Sequence, residues 1–314
     1  MKKILVTGAF GLVGTELVAE LQKMHGKENI VALGNKRIPE NFDGIVEQTD
    51  VRDAAKLEEL ITKYDVDTVY HLAGLLSVGG EKNPDLAWDV NANGLKLVLD
   101  LAVKHKLKVF WPSSIAAFGP TTPKQNTPQH TVLEPSTIYG VTKVAGELMC
   151  QYYNQRYGVD VRSLRYPGLN GWKADPGDGT TEYAIHIYYA ALTDKHYVLP
   201  LKDDTVLPMM YMDDAIKGTI QIMQAPAEKI TVRMGYNFSA INFAPKDIVA
   251  SIQKKIPDFT VVYQPNHTQA IADSWPKTID DSDARRDWGW EHEFDLDRMT
   301  EVMLENIQKY KLHK

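Results

Sequence analysis

Tyr139 and Lys143 stand four residues apart in Tyr139-Gly140-Val141-Thr142-Lys143, a spacing that on a helix places one side chain above the other. A tyrosine with an ordinary pKa near 10 is a poor base at neutral pH. An adjacent ammonium favours the phenolate, which can then take a proton from a substrate hydroxyl. Tyr–Lys pairs at this spacing are common on protein surfaces, and alone they carry no function. Upstream, Ser113-Ser114-Ile115-Ala116-Ala117-Phe118-Gly119 begins where the apolar run Val109–Pro112 ends. A hydroxyl therefore emerges at the carboxyl edge of a sheet, where ligands of α/β folds bind. The pair and Ser114 together are specific.

A second feature supplies the reaction partner. Thr7-Gly8-Ala9-Phe10-Gly11-Leu12-Val13-Gly14 follows the first apolar run and leads into a helical stretch. The Gly8, Gly11 and Gly14 spacing permits a tight turn and close approach of backbone to a pyrophosphate, while the N–H groups around Leu12 and Val13 open a helix N-terminus. A lone glycine triplet is weak, but between a strand and a helix it points to a dinucleotide. With a nicotinamide cofactor, Tyr139 takes the hydroxyl proton of an alcohol as hydride leaves the carbon. Ser114 hydrogen-bonds the same oxygen, and Lys143 lowers the Tyr139 pKa and binds the nicotinamide ribose. Asp50 and Val51, after the third strand candidate, suit the adenine, and Leu72-Ala73-Gly74 ends the fourth strand with residues small enough for the cofactor to pass. Each of these two segments taken singly reads equally well as a loop. The second strand runs into Gly34-Asn35-Lys36-Arg37. An acidic residue would normally grip the ribose 2′-OH of NAD here; Asn35 can still bond a hydroxyl, whereas Lys36 or Arg37 can pair with a 2′-phosphate. On these residues NAD and NADP both remain open.

These groups need a frame, and the chain supplies one. Ile4–Val6, Ile30–Leu33, Thr68–Leu72, Val109–Pro112 and Val161–Tyr166 are short apolar runs that alternate with amphipathic stretches over 14–23, 53–64 and 93–105. That rhythm predicts an α/β Rossmann fold, a doubly wound parallel sheet covered by helices on both faces. Past residue 167 the order loosens. Helices are expected over 181–193 and 213–224, Asp213-Asp214 capping the latter, and a helix–strand pair over 245–264. The expected organisation is a cofactor-binding domain over 1–166, with 207–225 returning to it, and a smaller α/β substrate lobe over most of 167–314. The bland reading of Thr180 and Thr181 is that they cap the first of these helices.

Composition narrows the partners. The 314 residues carry a formal charge of -6, so the chain lacks the cationic excess of a nucleic-acid or anionic-membrane binder. No stretch has the apolar length of a membrane span, and the opening residues do not read as a signal peptide. The single cysteine, Cys150, leaves nothing for an intrachain disulfide and sits in an apolar helical stretch as a small hydrophobe. A cytoplasmic setting is expected. The nine histidines show no ligand spacing, so no metal is expected.

Glycine turn, Ser114, Tyr139 and Lys143 resemble the extended short-chain dehydrogenases. The likeness covers essentially the whole chain and includes Asn91 with Gly94 and the segment Arg165-Tyr166-Pro167-Gly168. More narrowly the chain resembles the L-threonine 3-dehydrogenases of that family. This closer likeness rests on His71-Leu72-Ala73-Gly74-Leu75-Leu76-Ser77, Pro112 to Pro120, Gly179-Thr180-Thr181-Glu182-Tyr183-Ala184, Pro208 to Ala215 and Ser274-Trp275-Pro276. The resemblance implies NAD-dependent oxidation of the L-threonine 3-hydroxyl to L-2-amino-3-oxobutanoate. It implies that Ser77, Ser114, Tyr139, Thr180 and Trp275 surround the amino acid, that Asn91 and the Tyr166 to Gly168 segment serve the cofactor, and that the protein is a homodimer. Gly34, where the family has an acidic residue, is a departure bearing on cofactor preference.

Two other functions fit the same motifs. One is an isomerase or lyase of nucleotide-diphosphate sugars. Such enzymes resemble this chain but grip the diphosphate with a basic residue in a strand that here reads Leu207-Pro208-Met209-Met210-Tyr211, and carry Asn where this chain has Gly168. The other is a non-catalytic dinucleotide-binding regulator, against which the intact Ser114, Tyr139 and Lys143 argue.

Overall fold

The structure is a computed structural model that describes residues 3–35, 38–177 and 179–312. From the N-terminus run β1 (Ile4–Thr7), α1 (Leu12–His25), β2 (Ile30–Gly34), β3 (Ile45–Gln48), α2 (Ala54–Tyr64) and β4 (Thr68–His71). Next come α3 (Ser77–Lys82), α4 (Pro84–Trp88), a wide π-type turn over Asp89–Asn93, α5 (Gly94–His105), β5 (Lys108–Ser114), α6 (Ile138–Tyr157) and β6 (Val161–Tyr166). The remainder holds β7 (Gly168–Asn170), α7 (Tyr183–Thr193), β8 (His196–Leu199), β9 (Leu207–Tyr211), α8 (Met212–Gln224), β10 (Gly235–Asn237) and β11 (Ile241–Phe243). It closes with α9 (Pro245–Gln253), β12 (Thr260–Tyr263), α10 (Thr268–Ser274), α11 (Ser282–Trp288) and α12 (Leu296–Ile307).

A seven-stranded sheet of order β10-β6-β5-β4-β1-β2-β3 forms the centre, with β1 parallel to β2 and β4, β2 to β3, and β4 to β5. Every residue of β1, β2, β4 and β6 is buried. That is why these strands read as continuous apolar runs rather than alternating ones: helices cover both faces. The helices turn their periodic stripes inward, with Leu17, Val18 and Leu21 of α1, Leu57, Leu60 and Ile61 of α2, and Leu95, Val98, Leu99 and Ala102 of α5 buried. The helix carrying Tyr139 and Lys143 starts where its sequence says it should. Thr137 accepts a hydrogen bond from the Gly140 amide at 3.1 Å, and Gly158 ends α6 in the left-handed region with φ 71°.

The described residues within 1–117, 137–165 and 219–236 make one compact unit, and those within 118–136, 166–218 and 237–314 the other. This differs from the sequence expectation in two places. The segment 118–136 belongs to the second unit because long-range bonds hold it there: Lys124 Nζ donates to the Ser274 carbonyl at 2.6 Å, and Asn237 Nδ2 to the Thr127 carbonyl at 3.0 Å. Of the stretch expected to return, 207–218 stays in the second unit, where β9 pairs with β7 and β11 in a separate three-stranded sheet. The part that does return is 219–236; Arg162 Nη1 bonds the carbonyls of Ile222 and Ala225. In the second unit β8 and β12 form a parallel pair.

The capping expectation at α7 is corrected as well. Helix α7 begins at Tyr183 with Glu182 at its N-cap and no side-chain cap bond, so neither Thr180 nor Thr181 caps it. Asp214 lies in the first turn of α8 and spends its carboxylate on the amides of Glu293 and Phe294, at 2.9 and 3.0 Å, clamping a distant loop. Among the described residues, no helix is long and apolar enough to cross a membrane, and no group of three or more His, Cys, Asp or Glu is placed to hold a metal.

Candidate active site

Ser114, Tyr139 and Lys143 come together in the first unit, at the carboxyl end of β5 and the first turns of α6. Ser114 Oγ accepts the Ala116 amide at 3.2 Å, and its hydroxyl lies near enough to the Tyr139 phenol to favour the phenolate. Lys143 Nζ donates to the Pro112 carbonyl at 2.6 Å and lies 4.6 Å from the centre of the Trp111 ring and 5.4 Å from that of Tyr139. Trp111 can lie there because residue 146 is glycine. A Cβ at that position would stand 2.3 Å from Trp111 Cη2.

Burial dominates the electrostatics. It pushes the Tyr139 phenol up to about 12, against the Ser114 hydroxyl, which lowers it. It pushes the Lys143 amine down to about 7, against the neighbouring Cys150 and the Glu147 carboxylate, which favour the ammonium. The expected lowering of Tyr139 by Lys143 is therefore not what the protein alone produces: removing both groups from water favours their neutral forms. Beside them His71, wholly buried at the end of β4, is held near 3 by burial and by Lys143. It is neutral across the working range, with Nδ1 2.8 Å from Thr7 Oγ1.

The sequence reading passed over a further group. Glu147, one turn beyond Lys143, is wholly buried and accepts from Ser113 Oγ at 2.6 Å and from Arg165 Nε and Nη2 at 2.8 and 2.7 Å. A carboxylate at i+4 from a lysine inside a mostly apolar stretch was the available signal. Asn91 lies in the π-type turn, a feature found often at functional sites, and its amide is spent on the protein. Its Oδ1 accepts the Leu75 amide at 2.8 Å, while Nδ2 donates to the Leu75 carbonyl at 3.0 Å and to Thr142 Oγ1 at 3.2 Å. Asn91 thus ties the segment after β4 to the Tyr–Lys helix.

The glycine turn has the form its spacing requires. Gly8 adopts φ 67°, and a Cβ there would meet the Ala73 amide nitrogen at 2.7 Å; one at Gly14 would meet the Gly8 carbonyl at 2.2 Å. Gly11 is exposed, and α1 opens at Leu12 and Val13 with no side-chain cap and no acidic residue in its first turn. Uncapped amides at the positive end of a 14-residue helix are the donor set a pyrophosphate needs. Val51 is buried beside Gly94, and Leu72 and Ala73 are half-buried at the end of β4. The Asp50 carboxylate already has partners within the protein. Arg52 takes both of its oxygens, at 2.9 and 2.8 Å, and Asn35 Nδ2 lies 3.3 Å from Oδ2, so these two side chains already engage the carboxylate expected at adenine. The Arg52 guanidinium beside Asp50 holds that carboxyl down at about 2. Gly34 is buried at the end of β2, and Lys36 and Arg37 lie outside the described residues.

Ser77 is half-buried at the start of α3, in the first unit. Tyr166, Thr180 and Trp275 belong to the second unit and are buried, with 6%, 5% and 9% of their surface exposed. Thr180 has no capping duty, and Trp275 ends α10 with extended backbone.

Residues 4–237 match the family model described as the NAD dependent epimerase/dehydratase family. The chain belongs to that family. It is a member of the extended short-chain dehydrogenase type, and its cofactor is NAD. Among relatives, a Staphylococcus saprophyticus protein described as an uncharacterized epimerase/dehydratase is 46% identical over 312 residues, 98% of each chain. Among solved structures, L-threonine dehydrogenase from Phytophthora infestans is 46% identical with a TM-score of 0.95, covering 98% of this chain and 99% of that one. L-threonine dehydrogenase from Clostridium difficile is 46% identical with a TM-score of 0.96, covering 98% of each. A nucleoside-diphosphate-sugar epimerase from Agrobacterium tumefaciens, at 21% identity and a TM-score of 0.85, shares the fold. This epimerase/dehydratase family member is thus an NAD-dependent enzyme built on the Rossmann sheet.

Proposed function

We propose that the chain is an L-threonine 3-dehydrogenase, oxidising the 3-hydroxyl of L-threonine to the 3-keto group of L-2-amino-3-oxobutanoate. The observation that carries this reading is similarity at 46% identity, over nearly the full length of both chains, to solved structures named L-threonine dehydrogenases. The strand β9 supports it, because all five of its residues are buried and none is cationic, leaving no diphosphate clamp there.

NAD accepts the hydride when bound. The chain's own residues do the rest. The Leu12 and Val13 amides at the α1 terminus hold the pyrophosphate, with Gly8, Gly11 and Gly14 giving it room. Asn35, Asp50, Val51, Leu72, Ala73, Gly74 and Tyr166 line the remainder of the cofactor, and Asn91 fixes the segment after β4. Ser114 donates to the substrate oxygen and orients it, Tyr139 takes the hydroxyl proton as the C–H bond breaks, and Lys143 supplies positive charge beside the phenolate. Ser77 and Thr180 bond the zwitterion, and Trp275 excludes water. For assembly we propose a homodimer through α5 and α6, on which Val103, Val141, Leu148, Tyr152 and Tyr157 are exposed; sedimentation checks it. The functional test is product analysis after incubation with NAD and L-threonine. The keto acid or its decarboxylation product in the mass spectrum supports the reading, while turnover of a nucleotide sugar with no product from L-threonine overturns it.

A further inference from the structure

Besides the Pro112 carbonyl and the Trp111 ring that it meets, Lys143 has four titratable groups around it. On α6 these are Tyr139, Glu147 and Cys150; on β4 there is His71. His71 is neutral, and burial raises the Cys150 thiol far beyond any working pH. Burial holds Tyr139 as a neutral phenol at working pH. That leaves Glu147, four residues on, whose Cβ stands roughly 6 Å from that of Lys143 by helix geometry. Its oxygens are held from two other elements, by Ser113 on β5, next to Ser114, and by both arms of the Arg165 fork on β6.

Stability is a weak reason for this arrangement. A wholly buried ion pair gains little or nothing over apolar residues of the same volume, because both charges must leave water. Here the pair sits one turn below Lys143 and one residue from Ser114. Gly235 makes room for it, since a Cβ there would stand 2.7 Å from Glu147 Oε1 and 2.9 Å from Arg165 Cγ.

We propose that Glu147 is the positioning residue and buried counter-charge of the Ser114–Tyr139–Lys143 constellation, with Arg165 and Ser113 fixing where its charge lies. Three strands of consequence follow from one carboxylate. It joins α6 to the ends of β5 and β6, it favours the ammonium form of Lys143, and through Lys143 it favours the proton distribution in which Tyr139 is the base. In a coupled pair the state with one proton lost is shared between neutral lysine with phenol and ammonium with phenolate. Negative charge close to Lys143 favours the second.

The kinetic part rests on the L-threonine reading; the spectroscopic part does not. Protein carrying ε-13C-lysine, without cofactor, gives the Lys143 titration from the resonance missing in Lys143→Arg. We expect a wild-type midpoint near neutral, a midpoint lower by about half a pH unit or more in Glu147→Gln, and an unmoved midpoint in Ser113→Ala, which loses a hydrogen bond but keeps the charge. Should Glu147→Gln not fold, Glu147→Gln with Arg165→Gln replaces the ion pair by two amides and should move the midpoint the same way but by less, because the opposing Arg165 charge leaves with it. In kcat/KM with L-threonine, the acid limb should shift down and the plateau should fall at least about tenfold in Glu147→Gln, with NAD affinity retained. A folded Glu147→Gln protein whose midpoint stays or rises overturns the proposal. So does a Ser113→Ala shift as large as that of Glu147→Gln. A shifted midpoint with no oxidation of L-threonine would instead reject the substrate and leave the counter-charge standing.

Discussion

Burial drives the Tyr139 phenol up and the Lys143 amine down, so both groups resist charging. This has a measurable sign. In the unfolded chain Lys143 keeps its proton to about pH 10.4, whereas in the fold it gives it up near 7. The cost of holding it charged is complete below about 7 and gone by about 10.4, so its contribution makes the protein more stable as pH rises through that window. Lys143→Met removes the cost; its gain in Tm over wild type should be larger at about pH 6 than at about pH 10. A gain that is flat or grows with pH would contradict the burial account. Tyr139→Phe removes only the proton-transfer oxygen, so turnover should fall by about 10²- to 10⁴-fold while NAD affinity, read by titration, stays within a factor of about two. The three reacting side chains were legible in sequence because an i, i+4 pair and a strand-end serine are local patterns. Glu147 was not, because its partners lie 34 and 18 residues away and only the fold brings them together.

The elements that carry these residues are set by small side chains as much as by large ones. At Gly146 a Cβ would overlap the Trp111 ring, which in turn lies under Lys143. Gly146→Ala should therefore cost about 1–3 kcal/mol of unfolding free energy in denaturant titration, and also lower turnover by displacing α6 from β5. Normal stability with normal turnover would show that the helix and strand are not so tightly coupled. At the end of β2, Gly34 leaves NADP unopposed by any carboxylate on that residue. Gly34→Asp should raise the ratio of NAD to NADP in kcat/KM by about tenfold; an unchanged ratio would place the ribose elsewhere. The central strands and crossover helices were legible because wholly buried strands are unbroken apolar runs and the helices keep a clear 3.6-residue stripe. The three-stranded sheet was not foreseen. Its β7 and β11 are three residues each, too short to show a period, and β9 is buried throughout. The α7 start was misplaced because Thr180 and Thr181 look like caps and are not.

At the scale of the whole chain, the net charge of -6 and the lack of a cationic excess agree with a small-molecule enzyme. Family membership and NAD dependence follow from the match over 4–237 and from relatives aligned nearly end to end. The division into units could not be read from sequence order, because 118–136 leaves the segment around it and 219–236 returns, each through hydrogen bonds between residues far apart in the chain. The dehydrogenase reading differs from sugar-nucleotide isomerase or lyase chemistry in its substrate and in leaving reduced cofactor as a product, since those reactions return the hydride. The most direct measurement is the absorbance of reduced cofactor when purified protein meets NAD and L-threonine, with Tyr139→Phe in parallel. The account predicts steady NADH formation from L-threonine that Tyr139→Phe abolishes; no NADH from L-threonine, alongside conversion of a nucleotide sugar or a simple alcohol, would contradict it.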